Sequence, residues 1–178
     1  DTITGNGNTR VIYTQAREGV SVDLDAGTAV GGASVGTDTL VSGIWAVRGS
    51  NFNDVLKGSA NGEFFEGRAG DDSIDGGDGF DTAAYDVGAS AGGTFLAHAT
   101  GDLSASTPGL GVDALLRIES VIGTNFGDLF DGAAASLGYS VDGRSGNDTL
   151  IGSQGSDFLN GGIGDDTLSG GAGNDFVD

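Results

Sequence analysis

Six nine-residue units constrain the fold of this chain more than any other feature. Four follow one another at the end of the sequence, beginning at Gly143, Gly152, Gly161 and Gly170, and two stand together at Gly67–Asp75 and Gly76–Ala84. They fit the pattern G-G-x-G-x-D-x-U-x, in which U is a large apolar residue. The last three positions, as in Thr167-Leu168-Ser169, alternate polar, apolar and polar, which is the period of a very short strand with its middle side chain inward. Because so short a strand is not stable alone, the units must stack as coils of a solenoid, two units to a coil.

The first six positions of each unit form a tight turn that is rich in oxygen atoms. Glycines at positions one, two and four permit backbone conformations that other residues adopt only with strain, and they leave carbonyl oxygens pointing into the turn. The acid at position six adds a carboxylate. Calcium is a hard cation that takes about six to eight oxygen ligands in flexible geometry, whereas magnesium requires a tighter octahedron. The turns therefore favour calcium, and the formal charge of −19 indicates a chain that needs cations to become compact.

The acidic residues are spaced so that two stacked turns can share one ion. Four pairs are separated by 18 residues and a fifth by 20. The pairs are Asp54 with Asp72, Glu63 with Asp81, Asp148 with Asp166, Asp157 with Asp175 and, at the longer spacing, Asp128 with Asp148. We expect about four to six calcium ions, because one turn alone offers too few oxygens for an ion. The residues without a following acid in the expected place are predicted to form outward-facing half-sites: Asp1, Asp72, Asp81, Asp166 and Asp175.

The predicted metal ligands are the position-six acids and the glycines at positions one and four. The acids are Asp54, Glu63, Asp72, Asp81, Asp128, Asp148, Asp157, Asp166 and Asp175. The glycines are Gly67, Gly70, Gly76, Gly79, Gly143, Gly146, Gly152, Gly155, Gly161, Gly164, Gly170 and Gly173. The unit that begins at Gly5 has Arg10 at position six, so no ion is expected there.

With these repeats, the chain resembles the RTX (repeats-in-toxin, haemolysin-type) calcium-binding proteins. The resemblance implies an all-β fold, a right-handed parallel β-roll or β-solenoid with calcium bound in the turns. It also implies that position-six aspartates and glycine-turn carbonyls bind the ions. Type I secretion from a bacterium, with folding delayed until extracellular calcium is met, is a further implication.

The stretches between the nonapeptides also repeat. Gly49–Gly58 parallels Gly123–Gly132, and Tyr13 and Tyr85 each follow the end of a nonapeptide run. We therefore expect two modules, residues 1–84 and 85–178, in one continuous solenoid that is a fragment of a larger protein. The longer coils between the nonapeptides are predicted to continue the same solenoid without bound calcium.

Composition and motifs count against several other classes. Twenty-six acidic residues against seven Lys and Arg argue against nucleic acid and anionic membranes, and no apolar run is long enough to span a membrane. The two G-x-S-x-G motifs, around Ser34 and Ser90, neither follow a long strand nor open a helix, and His98 is the single histidine. No catalytic residue or organic cofactor is predicted.

The sequence thus favours a calcium-dependent structural segment of a large secreted or surface-associated bacterial protein, such as an adhesin. Its partners would be calcium ions and the neighbouring repeats of the parent protein. Two alternatives remain open. The segment could be the stabilising module of an RTX enzyme such as a protease, lipase or epimerase. Alternatively, one of the longer coils, around Trp45 or around Phe95–Thr107, could bind a saccharide.

Overall fold

The computed structural model describes all residues from Asp1 to Asp178, which form twenty short strands and no helix. The strands are β1 (Thr2–Thr4), β2 (Thr9–Ile12), β3 (Ser21–Asp23), β4 (Thr28–Val30), β5 (Thr37–Val41), β6 (Ile44–Arg48), β7 (Val55–Lys57), β8 (Phe64–Glu66), β9 (Ser73–Asp75), β10 (Thr82–Ala84), β11 (Thr94–Ala97), β12 (Leu103–Thr107), β13 (Gly111–Leu116), β14 (Ser120–Ile122), β15 (Leu129–Asp131), β16 (Ser140–Asp142), β17 (Thr149–Ile151), β18 (Phe158–Asn160), β19 (Thr167–Ser169) and β20 (Phe176–Val177). No helix is therefore available that could cross a membrane.

The strands form two sheets between which the chain alternates. Sheet A has twelve strands in the order β1-β5-β4-β3-β7-β9-β13-β12-β11-β15-β17-β19, and sheet B has eight in the order β2-β6-β8-β10-β14-β16-β18-β20. Within a nonapeptide block, successive strands of one sheet are parallel and in register, as where Leu56 pairs with Ile74. The fold is thus an all-β parallel roll, as the repeat predicts.

The core is a thin layer between the sheets, built from the middle residue of each short strand. Leu56, Phe65, Leu150 and Leu159 are all position-eight residues, and at most 1 % of each is exposed. A single cluster of 26 buried hydrophobic residues runs through the molecule. Burying one such side chain contributes about 1.5–3 kcal/mol, so each added coil stabilises the one before it.

The last coil is less buried than the repeat predicts. Leu168 is only partly buried, and Val177 is 45 % exposed. Both residues lie on β19 and β20, which are the edge strands of the two sheets, so a neighbouring coil covers them on one side only.

The longer coils differ from their prediction, because each contains an antiparallel meander in sheet A. β3 pairs with β4 and β4 with β5 in antiparallel fashion, and β11, β12 and β13 repeat this arrangement. Each meander adds two strands to sheet A that have no counterpart in sheet B, which explains why the sheets have twelve and eight strands. The longer coils therefore do continue the solenoid, but not as plain parallel coils.

Side-chain contacts around the two meanders are duplicated. The Tyr13 hydroxyl donates to Asp38 at 3.3 Å, and the Tyr85 hydroxyl donates to Asp113 at 2.8 Å. Both sheets run without interruption past residue 84, since β9 pairs with β13 and β10 with β14. The division into modules 1–84 and 85–178 stays a prediction.

Candidate metal centre

The position-six acids line the two edges where the chain passes between the sheets. We call the turns that lead into sheet A strands the A edge, and those that lead into sheet B strands the B edge. Along each edge, one carboxylate oxygen accepts the backbone N–H of the position-six residue on the preceding coil. The distances from the backbone nitrogen of the first residue to Oδ1 of the second are 2.8 Å for Asp54 and Asp72, 2.7 Å for Glu63 and Asp81, 2.7 Å for Asp128 and Asp148, 2.9 Å for Asp148 and Asp166, and 3.0 Å for Asp157 and Asp175. The structure thus places the two members of each predicted pair on adjacent coils.

Two of the predicted half-sites are not outward-facing, and this part of the prediction is wrong. The N–H of Asp72 donates to Asp113 at 2.8 Å, and the N–H of Asp81 donates to Glu119 at 3.0 Å. The meander separates these partners by 41 and 38 residues, so a search at a spacing of 18 misses them. For Asp113 the signal was the match between the two meanders, in which Asp38 and Asp113 correspond, whereas the counterpart of Glu119 is Trp45 and gave no signal.

Asp1 also has a following acid, again contrary to the prediction. Its amino group donates to Asp38 at 3.0 Å. Asp166 and Asp175, by contrast, lie in the last turn of their edges and have no carboxylate after them.

The second carboxylate oxygen of three acids is buried without a hydrogen-bond partner. These oxygens are Oδ2 of Asp72, Asp81 and Asp148, and the residues are 3 %, 0 % and 1 % exposed. Leaving a charged oxygen buried and unpaired is costly unless a cation neutralises it. These atoms are therefore fitted to a metal ion. In Asp54, Glu63, Asp128 and Asp157 the second oxygen instead accepts the N–H of position two of the same turn.

The glycines at position one are required by the carboxylate of their own turn. A Cβ atom built on Gly67, Gly143 or Gly161 would collide with the second oxygen of Asp72, Asp148 or Asp166, respectively. Gly76 and Gly170 stand in the same relation to Asp81 and Asp175, as does Gly152 to Asp157.

The glycines at position four fall into two groups. Gly70, Gly79, Gly146, Gly164 and Gly173 have φ angles of 120–155°, which side chains rarely adopt. Gly155 is different: its φ is not positive, and its N–H donates to the Ser153 hydroxyl at 2.9 Å. The prediction treated Gly155 as equivalent to the others, and the structure shows that it belongs to another kind of turn.

Backbone carbonyls must supply most of the oxygens of any ion in these turns. No group of three acidic, histidine or cysteine side chains is arranged so that it could hold a metal ion. The carbonyl oxygens of Gly143 and Gly146, however, accept no hydrogen bond, and the same holds for those of Gly67 and Gly70. One or two carboxylates with several free carbonyls make an all-oxygen donor set, which is typical of calcium.

Burial also raises the pKa of the acids that carry the unpaired oxygens. Burial raises the pKa of Asp72 to about 8, and the nearby carboxylates of Asp113 and Asp54 act in the same direction. The pKa values of Asp81 and Asp148 are raised to about 6, again mainly by burial. The pKa of Asp113, which Tyr85 contacts, is likewise raised to about 6 by burial. In the ion-free fold, these groups therefore keep their protons to a higher pH than exposed aspartates do.

We expect the calcium-free protein to lose stability as the pH rises from about 4 to about 8. The ordinary pKa of these aspartates is 3.8, so between that value and the raised values the folded state binds more protons than the unfolded state. The strand signal that remains in calcium-depleted buffer, compared by circular dichroism at about pH 5 and about pH 8, measures the effect. Calcium at saturation should abolish the trend, because the ion replaces the protons. Calcium-free stability that increases over this range would contradict the expectation.

The residues of the competing motifs have other surroundings. The Ser34 hydroxyl donates to Glu18 at 2.5 Å, and His98 lies in the turn between β11 and β12. Trp45 is 37 % exposed and packs against Phe64 with ring centroids 5.8 Å apart, while the Arg10 guanidinium lies over both rings. Arg10 also forms an ion pair with Glu66 at 3.1 Å, which explains why a basic residue is accommodated at position six of its unit.

Sequence comparison agrees with the geometry. The family model of the RTX calcium-binding nonapeptide repeat matches four copies, at residues 48–83 and 142–177. The matched ranges include both the clear nonapeptides and the degenerate units at 49–66. No curated protein matches the chain. Residues 48–83 and 142–177 are therefore identified as RTX calcium-binding nonapeptide repeats, and the parallel roll in which they lie agrees with that match.

Proposed function

We propose that the chain is a calcium-dependent structural segment of a large secreted bacterial protein, of the adhesin or surface-array type. In this role the segment is unfolded without calcium and becomes a rigid spacer when calcium binds outside the cell. The observation that supports this most directly is the set of three buried, unpaired carboxylate oxygens on Asp72, Asp81 and Asp148.

Charge and coil geometry explain why folding would depend on the ion. The formal charge is −19, and stacking places position-six carboxylates on adjacent coils. Adjacent coils are about 5 Å apart, the spacing of neighbouring strands. Without a cation, the charged form of each carboxylate is both desolvated and repelled by its neighbours. Ion binding removes both costs, so the binding free energy becomes folding free energy.

The expected affinity fits a switch between compartments. Calcium sites in extracellular modules typically have dissociation constants of about 0.1–1 mM. Cytosolic free calcium lies far below this range, so export would precede folding. Five turns have positive φ at positions two and four, and one ion at each of them would give a number within the proposed four to six.

A calcium titration followed by circular dichroism tests the proposed function. We expect strand signal to develop over about 0.1–10 mM calcium at neutral pH, and to be lost when a chelator is added. Magnesium at the same concentrations is the control and should produce little strand signal, because it keeps its waters and requires octahedral geometry. Strand signal that persists unchanged in excess chelator at neutral pH would rule out calcium-dependent folding.

A further inference from the structure

We propose that the residue at position two decides whether a turn takes a calcium ion. Where this residue is Ser or Thr, its hydroxyl takes the place of the ion in the first turn of each series of stacked turns, which we call a ladder. This inference rests on the proposed calcium binding and assigns a role to Ser50, Ser59, Thr124 and Ser153. Turns with one of these residues, at 49–54, 58–63, 123–128 and 152–157, are called hydroxyl turns. Those at 67–72, 76–81, 143–148, 161–166 and 170–175, with Gly or Arg at position two, are called open turns.

All four hydroxyl turns share one hydrogen-bond arrangement. In the turn at 123–128, the Thr124 hydroxyl donates to Asp128 Oδ1 at 2.8 Å and accepts the N–H of Phe126 at 3.0 Å. The Thr124 N–H donates to Asp128 Oδ2 at 2.7 Å, so both carboxylate oxygens are occupied. The equivalent hydroxyl-to-carboxylate distances are 2.7 Å for Ser50, 2.5 Å for Ser59 and 3.2 Å for Ser153.

The open turns have a different backbone and lack these bonds. Their position-two residues have φ angles of 71–99°, including Arg68 at 82° and Arg144 at 71°. A left-handed conformation is strained at arginine, so the surrounding structure must enforce it. In this conformation the N–H of Arg144 donates to Asp142 at 3.0 Å instead of to its own position-six acid. The second oxygen of Asp148 is consequently left without a partner.

The two kinds of turn follow a fixed order along the edges. Each uninterrupted run of 18- or 20-residue steps begins with a hydroxyl turn and continues with open turns. The runs are Asp54 to Asp72, Glu63 to Asp81, Asp128 to Asp148 to Asp166, and Asp157 to Asp175. Before each run, the preceding coil has a residue without a carboxylate in register: Val20, Trp45, Gly93 and Tyr139.

The direction of the hydroxyl explains this order. In the turns at 49–54 and 123–128, the hydroxyl donates to the carboxylate oxygen that also accepts an N–H from the preceding coil. The hydroxyl thus occupies the side of the turn that faces the preceding coil, which has no carboxylate in register and therefore cannot share an ion. In the open turns a preceding acid-bearing turn is present, and calcium supplies the contact that the hydroxyl makes elsewhere. About five ions are then expected, one between each open turn and the turn before it.

Arg144→Ser tests this assignment, because it changes the open turn G-R-S-G-N-D to G-S-S-G-N-D. The hydroxyl turn at 152–157, G-S-Q-G-S-D, has the same glycines, so the altered turn has a precedent within the chain. Native mass spectrometry in calcium, with isothermal calorimetry as a second count, should show one ion fewer than in the unmodified protein. Arg144→Ala is the matched control: it removes the same side chain without adding a hydroxyl and should keep the full count. Equal counts in the two variants would overturn the inference.

Ser153→Ala provides a second, independent comparison. The variant should keep the full number of ions and unfold at a lower denaturant concentration, because the hydroxyl substitutes for an ion and is not a ligand. Loss of an ion from this variant would also overturn the inference. A protein that binds no calcium at all would instead refute the proposed function, so the two failures are distinguishable.

Discussion

Asp72→Ala should lower the free energy of unfolding by about 3–5 kcal/mol in about 10 mM calcium, and the variant should bind one calcium ion fewer. Asp72 is 3 % exposed, and its Oδ1 accepts the N–H of Asp54 at 2.8 Å, so the substitution leaves a buried donor unpaired. That loss is worth about 1–3 kcal/mol. An ion with a dissociation constant of about 0.1–1 mM contributes a further 1.4–2.7 kcal/mol or so at this calcium concentration.

The calcium dependence of stability separates the two contributions to the Asp72→Ala effect. For each ion bound only by the folded state, the unfolding free energy rises by about 1.4 kcal/mol per tenfold increase in calcium. Chemical denaturation at several calcium concentrations should give a slope lower by this amount for Asp72→Ala. Asp165→Ala is the control, since it removes one exposed carboxylate from position five of a turn and should keep the original slope. An unchanged slope for Asp72→Ala would show that Asp72 is not a ligand.

Phe130→Ala should lower the unfolding free energy by about 3–5 kcal/mol at any calcium concentration that keeps the protein folded. Phe130 is fully buried, lies in register between Phe95 and Leu150, and makes an edge contact with Tyr139 at a centroid distance of 5.5 Å. Each sheet contributes a single layer of side chains to the core. Neighbouring strands therefore cannot move in to fill the cavity left by Phe130 without breaking their backbone hydrogen bonds.

Phe126→Ala is the matched control for this cavity, because Phe126 is four residues away and 45 % exposed. It should change the unfolding free energy by less than about 1 kcal/mol. Thermal unfolding in calcium should show a midpoint temperature lower by roughly 6–20 °C for Phe130→Ala, given about 2–4 °C per kcal/mol for a chain of this size. A similar decrease for both variants would mean that Phe130 is not part of the tight core. The slope of stability against calcium should be unaffected in both.

Local features of the fold could be predicted from the nonapeptide because they depend on residues within one or two units. Leu150 and Leu159 are inward-facing as the period of two requires, and Asp148 stacks against Asp166 at the expected spacing. The four carboxylates that are satisfied by their own turns were not distinguished from the others. The sequence nevertheless marks these four carboxylates, because Ser or Thr stands four residues before each of Asp54, Glu63, Asp128 and Asp157.

The meanders could not be predicted, because antiparallel pairing depends on where distant strands lie. β3 and β11 are as short as the other strands, and nothing within them shows that β3 pairs with both β4 and β7. The partners of Asp72 and Asp81 follow from the same insertion. Asp113 and Glu119 contact Asp72 and Asp81 because the chain adds β11, β12 and β13 to sheet A before it adds β14 to sheet B.

The sequence by itself determined the roll, the calcium chemistry of the turns and the coil spacing, since turn conformation and strand period are local properties set by Gly, Asp and Leu at fixed positions. Tertiary structure alone decided how deeply the oxygens for an ion are buried and which coil contacts them. The Asp72, Asp81 and Asp148 oxygens are unpaired because of burial by neighbouring coils and the left-handed backbone at position two, whereas a hydroxyl satisfies their counterparts at the start of each ladder. Burial and pairing depend on coils that lie up to 41 residues away, and a repeat cannot specify them.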